Sequence, residues 1–158
     1  VALVQLKKLL EQWDLNSLKI TAPFLEMEWV PRDEDKSAAW ELYVEMITRI
    51  TTQPIIPSQG LEKAALESVY QLFPLTRGIL KIHGRHCINF AKVAVVVLNQ
   101  VVRPFTSKWH TRISVGALDE ASVHDFREEL AALQRVLLNY TRLLSDLAGV
   151  EDLTGLEG

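Results

Sequence analysis

The chain holds a single cysteine, Cys87, among its 158 residues. One thiol closes no intramolecular disulfide and builds no Cys-rich zinc module, so a reducing, cytoplasmic setting is the natural expectation. Long apolar runs are also missing. The longest, Val93 to Leu98 continuing through Val101 and Val102, follows Lys92 and is interrupted by Asn99 and Gln100, which is too short to cross a bilayer. The N-terminal VALVQLKKLLEQW has neither a basic leader region nor a small-residue cleavage site, so no signal peptide and no membrane partner are expected. Phosphate-cradling glycine loops, dinucleotide fingerprints and Ser/His/Asp arrangements are lacking as well. No cofactor is implied. The 48% apolar and 23% charged residues exclude a disordered or collagen-like chain, and the length suits one domain.

The most informative absence is of acid. Residues 68–118 contain no Asp or Glu, although the chain has 20, and they carry Arg77, Lys81, Arg85, Lys92, Arg103, Lys108 and Arg112 with three of the four histidines. A net charge of -3 therefore conceals a cationic middle between two acidic ends. Two outcomes compete. The cations pair internally with the acids of residues 26–45 and 119–129, or they meet an external anion, since uncompensated Arg and Lys donors suit phosphate or carboxylate.

Apolar spacing predicts an N-terminal helix over 2–13 with Leu3, Leu6, Leu9, Leu10 and Trp13 on one face. Alternation in LKI (18–20) and LEMEW (25–29) predicts a small hairpin or extended segments. A helix follows from about Asp35 to Thr52, with Trp40, Tyr43, Val44, Ile47 and Ile50 inward, and QPIIPSQG reads as a loop. Residues 61–73 form the next helix, with Leu61, Ala65, Val69, Leu72 and Phe73 inward; Pro74 kinks it, and helix resumes as far as Gly84. Residues 86–102, apolar on most sides, are expected at the bundle centre against the last helix, with Arg103-Pro104 as their stop. That last helix has Ser122 and Asp125 as a capping-box pair and a seam of Phe126, Leu130, Leu133, Leu137, Tyr140, Leu144 and Leu147, stopped by Gly149. The fold class is thus mainly α: one four-helix-bundle-like domain over 1–158. It has an N-terminal helix and extended segment (1–33), the bundle (34–149) and an acidic, fraying tail (150–158).

The segment RPFTSKWHTR (103–112) interleaves cations with Phe105 and Trp109. Such a mixture suits a phosphate beside a stacked base, while the i, i+4 spacing of the two rings suits core anchors that leave the cations at the surface. The candidate anion contacts are Arg77, Lys81, Arg85, Lys108, His110 and Arg112. The expected partners are a nucleic acid, a nucleotide or an acidic protein, or a second copy paired along the Phe126–Leu147 seam. His83, His86, Cys87 and His110 are the only metal-type donors in the block, and their irregular spacing across Gly84 assigns no metal. The carboxylate pairs Glu26/Glu28 and Glu41/Glu45 read as solvated faces.

One alternative is catalytic. Arg77 and His83 in RGILKIH, with five residues between them, are similar to the Arg-spacer-His pattern of HEPN ribonucleases. That family consists of all-helical proteins. The resemblance covers seven residues, and Gly78 stands where the family carries a polar residue. It implies metal-independent RNA cleavage, with His83 in acid–base work on the ribose 2'-hydroxyl and Arg77 stabilising phosphate charge. The other reading is a non-catalytic binding module, or a bundle devoted to protein–protein contact.

Overall fold

A computed structural model describes residues 3–49 and 62–156. The elements in chain order are β1 (Val4–Gln5), α1 (Leu6–Gln12), α2 (Ala22–Glu26), β2 (Glu28–Trp29), α3 (Asp33–Ile47), α4 (Glu62–Tyr70), α5 (Leu72–His83), α6 (Ile88–Val97), α7 (Arg103–Ser114) and α8 (Glu120–Ala148). The domain is mainly α, as its sequence predicts, with a two-stranded antiparallel sheet near the N-terminus. Leu61, Ile50, the predicted end of the third-helix stripe at Thr52 and the QPIIPSQG loop lie outside the described residues.

The sheet departs from expectation. Val4 pairs with Trp29 and Gln5 with Glu28, so the strands come from both ends of the N-terminal segment. Residues 18–20 are irregular, and 22–26 form α2 with Pro23 in its first turn, where a missing N–H costs nothing.

Pro74 interrupts its helix locally, at Gln71. Gln71 N–H donates to Glu67 O at 3.0 Å and Leu75 N–H to Gln71 O at 3.1 Å, so the helical path runs through the α4–α5 boundary. Proline has no N–H, so the bond from residue 74 to Tyr70 O is missing, and the helix breaks locally at Gln71. After α5, Gly84 takes φ 62°, ψ -154°, a backbone state open essentially to glycine, and a 3-10 turn, Gly84–Cys87, reverses the chain.

The predicted stop at Arg103-Pro104 is overturned. Helix continues from α6 through a π turn, Leu98–Val102, into α7. Arg103 N–H donates to Leu98 O, five residues back. That widened turn absorbs the clash a proline ring makes with the preceding turn and sets Pro104 at the start of α7, a position prolines favour. RPFTSKWHTR is therefore helix, and Phe105 and Trp109 are buried on one face of it.

Contacts fix the directions. Tyr70 meets His110 and Arg103 lies over Phe73, so α4–α5 runs antiparallel to α7. Glu41 meets His83 and Lys108 meets Glu129, which sets α3 against α5 and α7 against α8. By length and composition the run Glu62–Ser114 is apolar enough to cross a membrane, but it doubles back at Gly84 and forms two walls of the bundle.

The central pair is α3 and α8, which share the most extensive contact, and not the 86–102 helix. Fully buried Ala38 and Ala39 let the α3 backbone approach its neighbours closely, so α3 also touches α5 and α6. Ile88 and Val95 of α6 are left exposed, as are Trp40 and Val44 of α3. The inward face of α3 is instead Asp35, Ala38, Ala39, Leu42, Tyr43 and Met46. Asp35 sets that rotation. Its carboxylate accepts from Arg32 N at 3.1 Å, closing the cap of α3, and from Phe90 N at 2.9 Å and Asn89 Nδ2 at 3.3 Å at the start of α6. One buried acid thus satisfies free N–H groups of two helices.

The seam of α8 is buried throughout. It is filled from within the chain, so it offers no surface for a second copy. The N-cap is Asp119, whose carboxylate accepts from Ser122 N at 2.7 Å, and not Ser122. That hydrogen bond holds the Asp119 carboxyl below its ordinary pKa. Gly149 closes the helix at φ 71°. The tail is docked rather than frayed as far as Thr154. Tyr43 Oη accepts from Leu153 N, and Asp152 takes Thr154 N at 3.0 Å, so a buried tyrosine and a short turn replace solvent for these groups.

Candidate anion-binding face

Helix geometry divides the cations of α7. Phe105, Thr106 and Trp109 mark its buried side. At about 100° per residue, Arg103 and His110 fall on the flank beside α4–α5, while Lys108 and Arg112 fall on the flank beside α8. On the α8 side the charges are already engaged. Lys108 Nζ contacts both oxygens of Glu129 at 2.8 and 2.9 Å. Lys108 and Arg112 each lie 5.1 Å from the centroid of the Trp109 ring, and Trp109 meets Phe126 edge-on. These two cations cover a buried aromatic.

The other flank is different. Arg103 stacks 4.7 Å over the Phe73 ring centroid and gives its Nε to Asn99 Oδ1 at 3.2 Å, which leaves the rest of its guanidinium fork free for a planar anion. Arg77 is one turn beyond Phe73 on α5 and is exposed. Tyr70, 45% exposed, contacts Phe73 at 5.5 Å and His110 at 5.2 Å between ring centroids. Tyr70 and Arg77 are seven residues apart, as are Arg103 and His110, and that interval returns to the same helix face. The result is a strip of two arginines, a histidine and a tyrosine across the α4–α5/α7 seam. Lys81 extends it by one more turn of α5. Glu67, one turn before Tyr70, is its nearest acid along the chain.

Of the seven cations in the acid-free block, Lys108 alone makes an ion pair among the described residues. Internal neutralisation by the flanking acids is thus the minor outcome. The six candidate residues do not form one cluster. Arg77, Lys81 and His110 belong to the strip, Lys108 and Arg112 to the opposite flank of α7. Arg85 lies in the 3-10 turn at the far end, on the order of 35 Å of helix axis from Arg112. Tyr70 and Arg103 complete the strip; Arg103 is one of the block's seven cations but not one of the six candidate contacts, and Tyr70 is not among the sequence candidates. Their signal was the seven-residue interval to Arg77 and His110, hidden because Pro74 and Pro104 read as breaks.

The catalytic pair is separated. Arg77 and His83 sit roughly 120° apart around α5. Arg77 points outward, while His83 is turned towards α3, with Nε2 3.1 Å from Glu41 Oε2. That nitrogen makes no hydrogen bond, so the two side chains are in close contact without one. Cys87 is buried and its Sγ donates to Gly84 O at 3.2 Å. Burial first, and then the Asp35 carboxylate, push its thiol above the ordinary pKa. Among the described residues no group of His, Cys, Asp and Glu is arranged to hold a metal. No protein-family model, curated protein or solved structure matches the chain.

Proposed function

We propose that the protein is a non-catalytic binding module that takes an anionic partner on the strip formed by Tyr70, Arg77, Arg103 and His110, with Lys81 at its edge. The observation that carries this reading is the pair Arg77 and Arg103, exposed on adjoining helices with no ion-pair partner among the described residues. Arginines on such a face bind phosphate or carboxylate at little cost in broken internal contacts, because no ion pair has to be given up. Lys108 lacks this freedom.

The test is retention on a generic polyanion. Wild-type protein is expected to bind immobilised heparin at ~50 mM salt and to be released as the salt rises to ~200 mM. The double variant Arg77→Glu/Arg103→Glu is expected to flow through, while Lys108→Ala elutes with the wild type. Equal retention of all three would remove the strip from the function.

A further inference from the structure

Resting on the reading above, we infer that the anion is single-stranded nucleic acid, with a base stacked on Tyr70 and neighbouring phosphates on Arg103 and Arg77. A site for free phosphate or an acidic peptide has no use for a half-exposed ring at the end of its row of cations. A nucleic-acid strand uses both, since every base presents a π face and every linkage a charge. Tyr70 is pre-oriented for this by its contacts with Phe73 and His110, so little rotamer freedom is lost on stacking.

The shape of the face selects single strands over duplex. Reading a duplex requires an element that enters the major groove, about 12 Å wide. Here α7 is walled by α4 on one flank and by α8 on the other, and it presents a broad surface instead of a projecting ridge. A single strand can lie along such a surface and turn its bases towards it. From Tyr70 to Lys81 the strip runs roughly 16 Å along the helix axis, the reach of a few nucleotides.

Fluorescence anisotropy with a labelled twelve-residue oligo-dT and its oligo-U counterpart tests the inference, with a duplex of equal length, inorganic polyphosphate and a poly-Glu peptide as rival probes. Wild-type protein is expected to prefer the single strands. Tyr70→Ala is expected to weaken oligo-dT roughly 5- to 150-fold and to leave polyphosphate unchanged; Tyr70→Trp is expected to retain oligo-dT, which separates stacking from fold. Arg77→Ala and Arg103→Ala are each expected to flatten the log K against log salt plot by about 0.7. If Tyr70→Ala is silent, or if polyphosphate, duplex or poly-Glu binds as tightly as oligo-dT, the inference is overturned while the anion-binding reading stands. If no polyanion binds at ~50 mM salt, both fall.

Discussion

Tyr140 places a phenol in the core of α8, 3% exposed and with no hydrogen-bond partner for its hydroxyl. Burial alone pushes its pKa far above the ordinary tyrosine value. The unfolded chain ionises this group near pH ~10, whereas the folded chain keeps it neutral. Its contribution is therefore intact below pH ~10 and is lost as pH rises beyond, by up to ~1.4 kcal/mol per pH unit. Tyr140→Phe is expected to be neutral or to stabilise by up to ~2 kcal/mol at pH 7, since an unpartnered hydroxyl is removed. It is also expected to show a shallower loss of stability than wild type between pH 9 and 11. Urea midpoints measured across that range decide the matter, and parallel curves for the two proteins would show that the hydroxyl is solvated.

At the scale of elements, Pro104 behaves differently from a proline in a helix interior. Pro104 stands in the first turn of α7 behind a π turn, where neither its missing N–H nor its ring opposes the backbone. Pro104→Ala is therefore expected to shift stability by less than ~1 kcal/mol in either direction. An interior proline would instead yield a gain of ~3 kcal/mol on replacement. Chemical denaturation distinguishes these outcomes. The same π turn controls the site, because it sets the rotation that carries Arg103 and His110 to the α4–α5 side.

For the whole molecule, one buried ion pair ties the start of α4 to α8. Glu62 Oε1 accepts from Arg127 Nε at 2.9 Å and Nη2 at 2.7 Å, with side chains 12% and 17% exposed. Removing one partner leaves a desolvated charge, and Arg127→Met is expected to cost about 2–4 kcal/mol. The double replacement Glu62→Leu/Arg127→Met is expected to cost less than the single one, as apolar groups of similar volume replace the pair. A double-mutant cycle by urea denaturation reads the coupling directly, and additive costs would show that the pair is solvated and contributes little. Arg127 Nη1 is also buried without a partner, so the pair stabilises less than its short distances suggest.

What the amino-acid sequence determined by itself are the features with a local cause. The seam of α8 follows from apolar residues at alternating spacings of four and three, and every predicted seam position is buried. Gly84 and Gly149 end helices because their positive φ angles suit glycine. Phe105 and Trp109 anchor α7 because their i, i+4 spacing puts both rings on one face. Of the candidate site, Arg77, Lys81 and His110 were readable as candidate contacts in an acid-free block. Only the tertiary structure decided the rest: the pairing of Val4 with Trp29, the central place of α3, the docked tail and the division of the α7 cations between two flanks. Each depends on which distant residues share a contact. Local periodicity carries no record of that, and two prolines that read as breaks kept Tyr70 and Arg103 out of the register in which they meet.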